Sequence, residues 1–274
     1  MYLLMNQRFL ALIPARYAST RFPGKPLAVL DGKPIIQHVY ERVRKVFDHV
    51  YVATDDQRIA DEVARFGGKF VMTGTHHKSG TDRCYEALCS LGEENFDVVV
   101  NIQGDEPFIA ASQLECIKQQ FENPQTDIAT LVKPFAAGAS FDELNNPNSP
   151  KVVIGNDGQA LYFSRSVIPY LRGIDPAEWS QHHIYYKHIG LYAYRSVVLR
   201  LITAMPQGSL EIAESLEQLR WLQAGLHIQT AVTETETIGI DTPEDLERAQ
   251  AFLAAHKQEA ENKSYSSGIL TLIR

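Results

Sequence analysis

The sequence predicts an α/β fold, doubly wound around a mostly parallel sheet, with an antiparallel excursion in its second half. Three observations carry this. Apolar runs of strand length alternate with segments of helical periodicity through the first half of the chain. The most apolar run, Asp97-Val98-Val99-Val100-Asn101-Ile102, lies between two such helical segments and reads as a central strand. Polar, cation-bearing loops follow the strands, where open α/β sheets gather their ligands. At 274 residues and 45% hydrophobic, the chain can bury the core of one large domain. That domain is expected over residues 8–255, with the excursion at about 134–210 and a polar, Ser-rich tail over 256–274.

The spacing predicts strands at residues 9–13, 49–53, 69–72, 97–102 and 127–133, and helices at 34–46, 56–66, 81–91 and 112–121. Ser79 to Asp82 and Ser112 to Glu115 have capping-box spacing, and Gly67-Gly68 closes the second helix. Beyond Pro134 the pattern changes. Asn145-Asn146-Pro147-Asn148-Ser149-Pro150 breaks the chain, and strand-like text recurs at 152–154, 160–164 and 189–194. Alternation then resumes with a helix at 214–224, a strand at 227–232 and a last helix from 242 to about 255.

Composition excludes several classes. A net charge of −7 argues against a general nucleic-acid binder, which needs clustered excess Lys and Arg. Cys84, Cys89 and Cys116 form no C-x-x-C pair and read as reduced thiols, fitting a cytoplasmic protein. No apolar run approaches the roughly 18 residues that a membrane span needs.

The loop after the first strand, Pro14-Ala15-Arg16-Tyr17-Ala18-Ser19-Thr20-Arg21-Phe22-Pro23-Gly24-Lys25, carries three cations in ten residues. It is neither a P-loop nor a dinucleotide fingerprint. Arg16, Arg21 and Lys25, with hydroxyls and backbone N–H groups between them, suit a polyphosphate. A solvated surface loop is the alternative, and the position directly after a buried strand favours the phosphate. The missing glycine fingerprint also counts against a nicotinamide dehydrogenase.

Asp105 follows the central strand and is placed either to hold Mg²⁺ or to stabilise its own turn. Asp241, in Ile240-Asp241-Thr242-Pro243, reads first as a helix cap. The segment Thr73–Arg83 can offer hydroxyls and N–H groups to a base or phosphate, and His76-His77 within it has no metal-ligand spacing of its own. Arg165 and His188 stand beside excursion strands, as wall or as surface. Glu217 and Gln218 fall on the side or outer face of an amphipathic helix.

Taken together these segments resemble the bacterial CMP-Kdo synthetases, the 3-deoxy-manno-octulosonate cytidylyltransferases. Six ordered motifs carry the resemblance: Ile13-Pro14-Ala15-Arg16 through Gly24-Lys25-Pro26-Leu27, Ser79-Gly80-Thr81-Asp82-Arg83, Gln103-Gly104-Asp105-Glu106-Pro107, Ala160-Leu161-Tyr162-Phe163-Ser164-Arg165, Leu216-Glu217-Gln218-Leu219-Arg220 and Asp241-Thr242-Pro243-Glu244-Asp245-Leu246. The resemblance implies a nucleotidyltransferase, Rossmann-like fold whose excursion binds sugar and forms a homodimer. It implies CTP at Ala15, Arg16, Ser19, Arg21, Lys25, Ser79 and Gly80, and Mg²⁺ shared by Asp105 and Asp241. It implies the sugar acid Kdo among Gln103, Arg165, Arg172, His188, Tyr192, Glu217 and Gln218. Arg16, Lys25, Asp105 and Asp241 would carry catalysis, in lipopolysaccharide synthesis. A relative acting on 8-amino-Kdo and a noncatalytic nucleotide sensor are the alternatives.

Overall fold

The computed structural model describes residues 7–18, 20–235 and 239–254. In chain order its elements are β1 (Phe9–Ala15), β2 (Val29–Leu30), β3 (Lys33–Pro34), α1 (Ile35–Val43), β4 (His49–Thr54), α2 (Gln57–Arg65), β5 (Phe70–Met72), α3 (Gly80–Leu91), β6 (Val98–Asn101), α4 (Ala111–Gln119) and β7 (Ile128–Pro134). There follow α5 (Phe141–Leu144), β8 (Lys151–Ile154), β9 (Ala160–Ser164), α6 (Trp179–His182), β10 (Tyr186–Arg195), α7 (Ser196–Thr203), α8 (Ser209–Glu214), α9 (Gln218–Gln223) and β11 (Ile228–Val232). Residues 243–254 are helical.

The main sheet runs β11-β7-β10-β6-β1-β4-β5. β1 pairs in parallel with β4 and β6, β4 with β5, and β7 with β11. Alternation along β1 explains the layering. Ala11, Ile13 and Ala15 pack with Ile36 and Val39 of α1, Ile59 of α2 and Leu114 of α4. Leu10 and Leu12 face the opposite side, toward Cys84 and Leu88 of α3 and Leu199 of α7. Two-residue periodicity in the strand thus meets the apolar stripes of helices on both faces.

The helix boundaries follow local chemistry. Asp56 accepts from the Arg58 N–H at 3.0 Å and starts α2, and Ser79 Oγ accepts from the Asp82 N–H at 3.1 Å and starts α3. α4 departs from expectation. It begins at Ala111, and the Ala110 N–H donates to Gln113 Oε1 at 3.0 Å, so Gln113 rather than Ser112 secures the start. The expected helix at 214–224 is broken in two, with Ser215 left-handed at φ 51°. Arg165 explains the break. Its guanidinium takes the Glu214 and Ser215 carbonyls at 2.6 and 3.1 Å, while the Glu214 carboxylate accepts from Ser164 Oγ and the Arg165 N–H. Those carbonyls are therefore spent on a distant strand and not on a continuing helix.

The excursion also differs from expectation, because its last strand does not stay in it. β10 lies antiparallel to β7 of the main sheet from Tyr186 onward, and pairs on its other side first with β8 at Tyr186 and Lys187 and then with β6 from Tyr192 to Arg195. The register against β7 shifts between Ile189 and Tyr192. Buried Thr130 serves this bulge: its hydroxyl lies 2.9 Å from the Leu191 carbonyl and 2.9 Å from His188 Nε2. A hydroxyl that donates to the carbonyl accepts from Nε2–H, which assigns the tautomer and leaves Nδ1 free to accept. The excursion keeps a small apolar cluster of its own, centred on Leu144, Trp179 and Tyr185.

Burial lowers the His188 pKa to about 4, so the ring is neutral at pH 7. Below about pH 6.5 the unfolded imidazole takes up a proton that the folded one refuses until about pH 4. Stability therefore falls with pH through that window, by up to about 1.4 kcal/mol per pH unit. Urea midpoints at pH 7 and pH 5 are expected to drop less in His188→Gln than in the wild type.

Candidate active site

β1 and β6 run side by side and end together, and at their carboxyl ends the backbones come unusually close. A Cβ on Gly104 would lie 2.8 Å from the Pro14 carbonyl oxygen, so only glycine permits this approach. The cation-rich loop leaves β1 here and closes on itself through the Gly24 N–H, which donates to the Tyr17 carbonyl at 2.9 Å. Gly24 has φ +72° and turns the chain so that Lys25 points back inward. The Arg58 guanidinium stacks 3.3 Å from the centre of the Tyr17 ring and braces the loop from outside.

Lys25 is the centre of the site. Its side chain is 13% exposed, and its ammonium lies 2.5 Å from Asp105 Oδ2 and 3.1 Å from Asp241 Oδ1. Arg21 reaches the other oxygen of Asp241 at 3.2 Å. Asp241 arrives from the far end of the chain through the Ile240 N–H, which donates to the Asp105 carbonyl at 2.9 Å. An apolar cluster of Leu30, Ile35, Ile240 and Ala249 locks that junction. Asp241 is not the helix cap. Thr242 Oγ1 accepts from the Asp245 N–H, and Asp245 Oδ2 accepts from the Asp241 and Thr242 N–H groups at 2.9 Å, which leaves the Asp241 carboxylate free to face Lys25.

These groups line a cavity of about 250 Å³ with Ala15, Arg16, Ser79, Gly80, Arg83, Gln103 and Gly104. The N-terminus of α3 opens onto it, and the free N–H groups of a helix start favour an anion or a polar base edge. Of the expected nucleotide residues, Ala15, Arg16, Arg21, Lys25, Ser79 and Gly80 all meet here. Ser19 lies outside the described residues.

The expected sugar residues divide. Gln103 lines the cavity, and its amide donates to the Gly190 carbonyl at 3.2 Å. Glu217 accepts from Thr81 Oγ1 at 2.8 Å and from Arg220 at 3.2 Å. Burial pushes its carboxyl above the usual carboxylate range, opposed by the Thr81 hydroxyl. Gln218 is buried at 4% exposure, so the broken helix turns Glu217 and Gln218 inward, contrary to the outer-face reading. Tyr192 packs at 5.1 Å from the His188 ring. Arg165 is spent on the backbone carbonyls of Glu214, Ser215 and Pro147. Arg172 is exposed on the excursion and is not among the residues lining the cavity.

Two residues escaped sequence reasoning. Arg83 is 1% exposed, donates to Thr73 Oγ1 at 2.5 Å and to Asp55 at 2.8 Å, and lines the cavity. A cation on the buried stripe of α3, one turn after its cap, was the available signal. Asn101 pairs in register with Tyr192 and sits 3.6 Å from where a Gly80 Cβ would be. No local pattern marks it, because its neighbours come from β10 and α3.

Asn101 Oδ1, Tyr192 Oη and Gln218 Nε2 are buried without a hydrogen-bond partner. Such orphans cost free energy unless something polar joins them.

The cytidylyltransferase family pattern matches residues 10–238. The chain is 62% identical to the 3-deoxy-manno-octulosonate cytidylyltransferase of Phocaeicola vulgatus, over 92% of this chain and all of that protein. It is 63% identical to the enzyme of that name from Bacteroides thetaiotaomicron, over 90% of this chain and 98% of the relative. Its fold superposes on a CMP:2-keto-3-deoxy-manno-octonic acid synthetase solved with CTP at a TM-score of 0.83 and 42% identity, covering 91% of this chain and all of that one. With a cation-rich loop, paired carboxylates and this full-length likeness in hand, the chain belongs to the cytidylyltransferase family.

Proposed function

We propose that this cytidylyltransferase activates the sugar acid Kdo: the anomeric 2-hydroxyl attacks the α-phosphorus of CTP, pyrophosphate leaves in line, and CMP-Kdo forms for lipopolysaccharide synthesis. The observation that carries the reading is the cluster of Lys25, Arg21, Asp105 and Asp241 at the open end of the parallel strands. The names of the full-length relatives support the substrate pair. CTP as donor fits a cytoplasmic reaction.

In this reading Arg16, Arg21 and Lys25 take the triphosphate, competing with the aspartates for the two inner cations, and neutralise the departing pyrophosphate. The Ser79–Gly80 helix start faces cytosine. Asp105 and Asp241 fit Mg²⁺, because two carboxylates that already converge on one ammonium are the all-oxygen donors that this ion takes, with phosphate and water completing its shell. When bound, Mg²⁺ would withdraw charge from the phosphates and acidify the attacking hydroxyl. The sugar is held by Gln103, His188 Nδ1, Tyr192, Glu217 and Gln218, with Asn101 added, since the unpartnered atoms of Asn101, Tyr192 and Gln218 suit a polyhydroxylated ligand. Arg165 acts through the turn it ties down before Glu217. Arg172 is left out of the contact set. A homodimer through the excursion is supported by its exposed apolar side chains, Tyr170 at 74%, Ile184 at 62% and Leu161 at 61%.

The direct test is pyrophosphate release from each of four NTPs with Kdo or its 8-amino analogue. CTP with Kdo is expected to win, and UTP to be rejected because its reversed donor and acceptor leave buried polar groups unpaired. Equal rates with UTP would sink the cytidylyl assignment, and CTP binding without turnover would favour a sensor.

Two residues next to each other separate catalysis from capping. Asp241→Asn is expected to lower turnover at least about 100-fold with little change in melting temperature. Thr242→Ala is expected to cost about 1 kcal/mol of stability and leave turnover largely intact.

On the sugar side, Gln218→Ala and Tyr192→Phe are expected to raise the KM for Kdo several-fold while CTP affinity, measured by calorimetry, changes little. Lys25→Ala is expected to weaken CTP first. Equal losses for both substrates in all three variants would show the site to be partitioned differently.

A further inference from the structure

On the outer side of the same β5–α3 loop stands a group of side chains that the reaction does not use. His76 and His77 come from the loop and Glu86 from the second turn of α3. Their ligand atoms all lie within 4.8 Å of one another. The two imidazole rings are 4.3 Å apart, and His77 Nε2 is hydrogen-bonded to Glu86 Oε2. Glu86 Oε2 also accepts from the Gly74 N–H at 2.9 Å, which ties the carboxylate to the loop that bears the histidines. Gly74 makes room for the first ring: a Cβ there would fall 2.5 Å from His76 Nδ1.

We propose that His76, His77 and Glu86 form a binding site for a borderline divalent transition ion, of the Zn²⁺ type, distinct from the carboxylate pair of the active site. Two imidazole nitrogens and one carboxylate make an N₂O set, which suits Zn²⁺, Co²⁺ or Ni²⁺ and disfavours Mg²⁺, a hard ion that asks for oxygen. Bonds of about 2.0–2.1 Å in tetrahedral geometry put donor atoms roughly 3.3 Å apart. Rotation of the exposed His76 ring, small adjustments of the partly buried His77 and Glu86 side chains and the release of the hydrogen bond between those two would close the present spacing to that. The site opens onto a cavity of about 680 Å³ that shares no lining residue with the active-site cavity. Asp82 and Cys89, four residues before and three after Glu86 on the same helix face, border that cavity and offer further donors.

An ion there would join the loop to α3 three residues before Ser79, and so brace the segment from which the helix start at the active site is built. The inference stands on these side chains alone and not on the proposed reaction.

The test uses tag-free full-length protein stripped of metal and kept in millimolar Mg²⁺. Co²⁺ is titrated as a spectroscopic probe and Zn²⁺ by calorimetry. One Co²⁺ per chain is expected, with the visible absorption of a four- or five-coordinate nitrogen–oxygen site, displaced by Zn²⁺. His76→Ala, His77→Ala and Glu86→Gln are each expected to weaken Zn²⁺ binding at least tenfold, while Asp105→Asn binds as the wild type does. His76 is exposed and bears no fold-determining hydrogen bond, so its variant stays informative even if changes at His77 or Glu86 perturb the loop. Absence of saturable binding, binding that His76→Ala leaves unchanged, or loss of the ion in Asp105→Asn would each overturn the proposal.

Discussion

The site depends on one ammonium held between two carboxylates. Asp105 and Asp241 are separated by about half of the chain, and both reach Lys25 within hydrogen-bonding distance. Without a cation between them, two carboxylates this close would repel by on the order of several kcal/mol at the dielectric of a partly buried site. The fold holds them together by other means. The Ile240–Asp105 backbone bond sets the distance, the cluster of Leu30, Ile35, Ile240 and Ala249 pins the last helix against the first loop, and Thr242 with Asp245 caps that helix so that Asp241 need not. Charge of both signs is thereby concentrated at the open end of the parallel strands.

Rigid elements carry the polar groups into place. The ends of β1 and β6 nearly touch at Gly104, and the start of α3 faces the same gap. On the other side, β10 crosses from the excursion into the middle of the sheet and places Tyr192 beside Asn101. The bulge at Thr130 lets one strand serve both regions. Buried side chains with unsatisfied polar atoms then sit next to the charged cavity, an arrangement that costs stability and is tolerated where a ligand completes the bonds.

Arg165 shows how a plausible ligand contact becomes an architectural one. Its guanidinium donates to the carbonyls of Glu214, Ser215 and Pro147, and by stopping α8 it lets α9 start just after Glu217, with Glu217 and Gln218 turned inward. An uninterrupted amphipathic helix would leave the same two residues toward solvent. The difference between an exposed carboxylate and one whose pKa is raised by burial lies in this turn.

Much was legible in the chain alone, because local chemistry decides it. Apolar runs of period two and stripes of period 3.6 mark the parallel strands and their helices. Ser79 announces a helix start, and the cations from Arg16 to Lys25, directly after a buried strand, announce a polar loop at the carboxyl edge of the sheet. The ordered motifs carried the family resemblance. What the sequence could not decide is what depends on partners far along the chain. Whether Asp241 caps a helix or faces Lys25 turns on Thr242 and Asp245 taking the cap and on Ile240 reaching Asp105. The entry of β10 into the main sheet, the inward turn of Glu217, and the meeting of His76 and His77 with Glu86 likewise arise from long-range pairing. Periodicity reports which face of an element is buried, and only the tertiary structure decides which neighbour that face meets.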